Sequence, residues 1–291
     1  MILSSLDSAH SENTAVAGVM PLAGGKQGRR DESLTTRSWP ALPRRGQARA
    51  LQERARQRCD LGVWVSGSGQ RFASSACVRS IIDAVTEIRD IAPGLWVWST
   101  PHPDWTPDSD FDGPVTSTCA AVGDEVVVLD PLAPQPDCGE AWARLDAAPP
   151  TVAVVLKPDH VRDVDLFVRR YGARAFGPWL FYPRDVPRSE LTAVEPGNSI
   201  PGGLLALYDG RGRAETPIWI ADHRTLVFAD ALTAPHGELL VWDCPALEER
   251  ALPALRGLLK LPFEHVIVSH GQPIHDRAAY ERALTLPPWR G

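Results

Sequence analysis

Three short apolar runs, each stopping at a residue that can bind a proton or a metal, constrain this chain most. Residues 152–156 (Val-Ala-Val-Val-Leu) give way to Lys157-Pro158 and then to Asp159-His160. Residues 226–229 (Leu-Val-Phe-Ala) end on Asp230, and residues 266–269 (Val-Ile-Val-Ser) end on His270-Gly271. Runs this short, rich in β-branched side chains and bounded by turn residues, read as buried strands rather than core helices. Carboxylates and imidazoles at strand C-termini converge in the cleft of an α/β sheet, where such folds place their chemistry. Two aspartates and two histidines suit Zn²⁺, Fe²⁺ or Mn²⁺. A plainer reading stands beside each residue. Asp159 or Asp163 can cap the helical pattern that runs to Tyr171, His160 can be a polar first-turn residue, Asp230 can cap the next element, and His270 can be a turn histidine.

The rest of the pattern supplies the frame. Residues 94–99 alternate as a strand, and residues 116–122 and 125–131 flank Gly123-Asp124 as a β-hairpin. Helices are expected over 80–89, 140–147, 163–171 (closed by Gly172), 248–260 and 276–284, and further strands over 173–176, 204–208, 217–221 and 225–230. Residues 178–201 are Pro-rich and irregular, and residues 209–212 form a Gly-rich turn. Hairpins followed by strand–helix units predict an α/β (α+β) chain with two mixed sheets covered by helices. Alternation places Trp96, Trp98, Trp179, Trp219 and Trp242 chiefly in the core, with a pocket lining as the other reading for one or two of them.

Composition narrows the class. At 291 residues with 44% hydrophobic content a packed core is readily built, and no apolar run is long enough to span a bilayer. The five cysteines are scattered without a Cys-x-x-Cys pair, which fits reduced thiols in a cytoplasm rather than a disulfide framework. The net charge of −6 is uneven: residues 1–80 are basic and the remainder is acidic, so the main body is a poor nucleic-acid surface. Residues 1–79 lack sustained periodicity apart from a short basic helical pattern over 47–58. They are expected to be disordered or loosely attached, with a start near Val78 as the other reading. The first 25 residues lack a basic leader, against a secretory signal. Ser66-Gly67-Ser68-Gly69 lacks the ending of a phosphate loop. Residues 80–291 form the expected folded domain.

The order of elements from Gly94 onward resembles the metallo-β-lactamase fold, an αββα four-layer sandwich of hydrolases and some oxidoreductases. The landmarks are Val127-Val128-Leu129-Asp130-Pro131, the strand–helix joint at Asp159-His160, Phe228-Ala229-Asp230 and Val268-Ser269-His270-Gly271. The family's main motif, His-x-His-x-Asp-His, is broken here. Counted back from the helix, Asp159-His160 is its terminal pair and the loop before it is shortened. Counted forward from the strand without a gap, Pro158 replaces the first histidine, His160 is the second, and Arg162-Asp163 replace Asp-His. The first register is preferred because it keeps an intact Asp-His pair; the second makes Asp163 the alternative ligand. The family's next histidine should fall near Ile200-Pro201-Gly202-Gly203, where there is none.

The resemblance therefore implies at most one metal ion, held by Asp159, His160 and His270 with Asp230 as the carboxylate that normally bridges two ions. It implies a hydrolase of a small ester, thioester, lactone or phosphoester in which Asp159 or Asp230 orients a water. His102 and His236 are further candidates on Pro-flanked loops, and His223, His265 and His275 are assigned to the surface or to element ends. The rival expectation is a metal-free, non-catalytic protein that binds a small ligand or another protein, since Lys157 inside the broken motif repels a cation and attracts an anion.

Overall fold

A computed structural model describes residues 86–109, 111–212 and 215–290. The expected front segment, its helical pattern over 47–58 and most of the helix expected over 80–89 lie outside these residues. The first sheet begins as an antiparallel meander of β1 (Glu87–Ala92), β2 (Leu95–Pro101), β3 (Pro114–Val122) and β4 (Glu125–Leu129). It continues in parallel through β5 (Val152–Val154), β6 (Arg174–Gly177) and β7 (Thr192–Ala193), with α1 (Gly139–Ala147) and α2 (Val164–Tyr171) as crossovers. Parallel neighbours need such crossovers because a tight turn can only reverse the chain.

The second sheet has the order β14 (His265–Val268), β11 (Thr225–Phe228), β10 (Ile218–Ile220), β9 (Leu204–Ala206), β8 (Ser199–Ile200). A short hairpin, β12 (Leu232–Thr233) and β13 (Leu240–Val241), stands beside it. α3 (Leu252–Gly257) and α4 (Arg277–Ala283) complete the chain. Among the described residues no helix is long and apolar enough to cross a membrane.

Period-two alternation explains why there are four layers. In β4, Val127 and Leu129 enter the cluster between the sheets, while Val128 enters the outer one under α1 and α2. Residues 152, 154 and 156 likewise face inward and residues 153 and 155 outward. In the second sheet Val227, Ala229 and Ile267 face inward, while Leu226, Phe228, Val266 and Val268 meet Leu255 and Tyr280 of α3 and α4. Each sheet thus has two apolar faces, so each needs a partner sheet and a helical cover, and every Val or Leu so buried contributes about 1.5–3 kcal/mol.

Three expectations need correction. Residues 87–89, expected as a helix end, begin strand β1, paired from Glu87–Ser99 to Ala92–Leu95. An edge of β2 was available, and Ile88 and Ile91 gain apolar contacts on opposite faces there, which outweighs helix propensity. The helix expected over 248–260 is instead a π-turn (Leu247–Ala251), α3 and a 3₁₀ turn (Leu258–Lys260). Pro253 lacks an N–H and its ring crowds the carbonyl four residues back, so the preceding turn widens. Trp179 is 54% exposed because it follows β6 into the irregular segment, whereas Trp98 and Trp219 are buried.

Candidate metal centre

The site forms where β4, β5, β11 and β14 end at one edge of the sandwich. β5 stops pairing at Val154, and the chain turns so that the Leu156 N–H donates to Asp130 Oδ1 at 2.7 Å. Asp130 follows β4 with φ +45° and is 2% exposed. Its other oxygen, Oδ2, lies 2.7 Å from His160 Nδ1, and the Ser269 hydroxyl approaches the same oxygen at 3.5 Å. This contact sets the His160 tautomer: Nδ1 carries a proton toward Asp130, and Nε2 turns to the interior of the site.

His160 Nε2 faces Asp230 Oδ1 at 3.3 Å, and His270 Nε2 faces the same oxygen at 3.2 Å. Asp230 Oδ1 is buried with no hydrogen-bond partner among the described residues, and the same holds for His270 Nδ1. The second Asp230 oxygen accepts from the Lys157 ammonium at 2.6 Å, which also reaches Asp159 at 2.6 Å. His270 is fixed through its backbone, whose carbonyl accepts from Ala234 N and Thr233 Oγ1 at 2.8 and 3.1 Å. The close approach requires Gly271, with φ +125°, because a Cβ there would lie 2.5 Å from the Ala234 carbonyl oxygen.

Proton affinities follow from this packing. Burial disfavours a charged His160, but Asp230 and Asp130 outweigh burial and Arg162 and raise its pKa to about 9. Burial would raise the Asp230 carboxyl, yet His160, His270 and Lys157 hold it well below the usual carboxylate range. His270 is lowered, chiefly by burial. Lys157 is raised, because Asp230 and Asp159 overcome its desolvation.

His160, Asp230 and His270 are thus brought together, with one donor atom from each inside a 4.8 Å group. Two donors each about 2.0–2.1 Å from a tetrahedral ion lie roughly 3.3 Å apart, which is the spacing of Asp230 Oδ1 from both imidazole nitrogens. A buried carboxylate oxygen facing two imidazole nitrogens is a donor set that could hold a divalent ion. The residues fit one ion. They do not supply a second set, since Asp230 Oδ2 is taken by Lys157.

Asp159 and Asp163 are placed outside this group. Asp159, 38% exposed at its side chain, turns to Lys157, because neighbours in the tight 157–160 turn diverge. Asp163 Oδ2 accepts from Ala133 N at 2.7 Å, and the residue stands as the N-cap position of α2. Three residues separate His160 from Val164, the first residue of α2, with Arg162 among them. Arg162, at φ +44°, donates from Nη1 to the carbonyls of Thr116 and Asp130 at 3.1 and 2.8 Å.

Asp130 was read from sequence only as the end of a landmark, although an acid stopping an apolar run before a proline was the available signal. His102 and His236 line one cleft of about 940 Å³ with Trp105, Thr116 and Gly271. A neighbouring pocket of about 200 Å³ is lined by His236, Phe111, Trp289 and His270.

The sequence matches no protein-family model and no curated protein. Solved structures do match. FIM-1 from Pseudomonas aeruginosa, a metallo-β-lactamase in its mono-zinc form, superposes with a TM-score of 0.52 at 16% identity, over 70% of this chain and 95% of that one. A metallo-β-lactamase from Pontibacter korlensis gives 0.51 at 16% identity, covering 69% and 98%. The metallo-β-lactamase DIM-1 gives 0.51 at 11% identity, covering 70% and 97%. This chain has the metallo-β-lactamase fold. The candidate centre lies at the strand ends of that fold.

Proposed function

We propose that the chain is a one-metal hydrolase acting on a small ester, thioester, lactone or phosphoester, with zinc, iron or manganese held by His160, Asp230 and His270. The observation that carries this reading is Asp230 Oδ1, buried and 3.2–3.3 Å from two imidazole nitrogens. A bound divalent ion would polarise the scissile group and lower the pKa of water. The chain's own residues do the rest. Asp130 keeps His160 in the ligating tautomer, and Lys157 fixes the Asp230 carboxylate. Asp159, exposed and paired with Lys157, would accept a proton from an attacking water. The cleft bearing His102 and His236 would receive the small-molecule substrate. Free thiols at Cys119, Cys138 and Cys244 support a cytoplasmic setting.

A second reading rests on Lys157, whose ammonium already bridges Asp159 and Asp230. On that reading the protein is metal-free and binds a ligand without turnover. Metal analysis of protein purified without chelator separates the two. About one ion per chain, lost in Asp230→Ala and in His270→Ala, supports the hydrolase. A protein that neither carries nor takes up zinc, iron or manganese supports the ligand binder and removes the first reading.

A further inference from the structure

The loop between β9 and β10 carries a buried charged cluster that the proposed chemistry does not use. Asp209 and Glu215 are both fully buried, and Arg211 joins them. The Arg211 Nε lies 2.7 Å from Asp209 Oδ2, its Nη2 meets Glu215 Oε2, and its backbone N–H donates to Asp209 Oδ1 at 2.8 Å. A buried carboxylate is costly unless every lone pair is used. The remaining acceptor capacity of Glu215 is spent on one place. Oε1 accepts from Ala229 N at 2.9 Å, and Oε2 accepts from Asp230 N and Ala231 N at 2.8 and 2.7 Å.

Three consecutive backbone N–H groups around Asp230 therefore close on a single carboxylate, while Arg211 Nη1 reaches the Asp230 carbonyl at 3.3 Å. The next residue continues the bracing: Thr216 N donates to the Leu156 carbonyl at 2.8 Å, just before Lys157. One loop thus ties the strand end that carries Asp230 to the strand end that leads to His160. Gly210, with φ +85°, permits the loop to pack there, because a Cβ would lie 2.3 Å from the Arg250 carbonyl oxygen.

We propose that Glu215, held by Arg211, is a positioning residue that sets the Asp230 carboxylate against the two imidazoles and thereby tunes cation affinity at this site. The proposal rests on the one-metal reading for its functional consequence. A carboxylate that supports a ligand's backbone acts as the outer partners of metal ligands do, whose loss typically weakens binding by roughly 10–100-fold. Glu215→Gln keeps the size but turns an amide N–H₂ toward N–H donors, so the three-way acceptor is lost.

The test uses the full chain, with Zn²⁺ affinity measured by chelator competition and amide hydrogen exchange followed in the metal-free protein. In Glu215→Gln the amides of residues 229–231 should exchange faster while the core strand β4 stays protected, and Zn²⁺ affinity should fall at least 10-fold. If that variant does not fold, Arg211→Lys, which keeps the carboxylate but loses the guanidinium fork, is read in the same way. A folded variant with unchanged exchange at 229–231, or with wild-type Zn²⁺ affinity, overturns the proposal. Uniformly faster exchange across β4 and β11 also overturns it, since that is what a merely structural cluster would give. Zn²⁺ failing to bind the wild type refutes the one-metal reading, and with it the affinity half of this proposal. Exchange at 229–231 then decides whether Glu215 braces Asp230.

Discussion

Uptake of the ion should release a proton, and its pH dependence can be worked out from one histidine. His160 has its proton affinity raised to about 9 by Asp230 and Asp130, so at pH 7 the metal-free site holds a protonated imidazole. Its Nε2 must lose that proton before it can ligate. Two pH units below the pKa, about one chain in a hundred is ready, which costs binding about 3 kcal/mol. Apparent affinity should therefore rise close to tenfold per pH unit from 7 to 9 and level off above. Calorimetry in buffers of different ionisation enthalpy should report about one proton released per ion at pH 7.

Stability should follow the opposite course without metal. A folded pKa of about 9 against 6.5 unfolded gives stability that is fully present below pH 6.5. It is lost as pH rises through 9, about 3 kcal/mol in all. The metal-free melting temperature should fall across this window, while added metal stabilises more strongly as pH rises. Asp130→Asn lowers the His160 pKa and should shift the affinity curve to lower pH. Affinity that is flat from pH 7 to 9, with no proton released, would falsify the assignment of His160 as a ligand.

Two further outcomes can be checked independently. Lys157→Met removes the ammonium from Asp230 Oδ2 without adding a donor, so metal affinity should rise several-fold while stoichiometry stays at one; a second bound ion by elemental analysis would contradict the donor count. Gly271→Ala places a Cβ against the Ala234 carbonyl at φ +125°, which should destabilise by on the order of 1–3 kcal/mol or more. An unchanged denaturation midpoint would show that the β14 exit does not constrain His270 as described.

The frame was legible because strand alternation is local. Residues 127–129, 152–156 and 226–229 divide between inner and outer layers as their period of two requires, and Gly172 ends α2 at φ +69°. The centre was legible in part: His160, Asp230 and His270 come together because all three follow buried strands at the same sheet edge. Asp159 is expected as a ligand from the intact Asp-His pair of the resemblance, and the structure pairs its carboxylate with Lys157. Asp130 and Glu215 were passed over because their roles depend on contacts 30 and 14–16 residues away, with no spacing pattern to mark them. β1 was misjudged for a related reason, since only the free edge of β2 decides that segment.

On the one-metal reading proposed above, the charges at the centre favour one ion over two. Asp130, Asp159, Asp163 and Asp230 surround Lys157 and Arg162, so with neutral imidazoles the centre carries a net negative charge. In the metal-free chain the proton on His160 offsets part of it, which is why that histidine is so basic. One divalent ion in exchange for that proton would make the site one charge more positive, which favours an anionic transition state. A second ion would bring its charge beside the Lys157 ammonium, where each like-charge pair at 4 Å costs about 4 kcal/mol even at an effective dielectric of 20. It would also find no imidazole at residues 158 or 200–203. On that reading Lys157, paired with Asp230 Oδ2, stands where a second cation would otherwise neutralise Asp230.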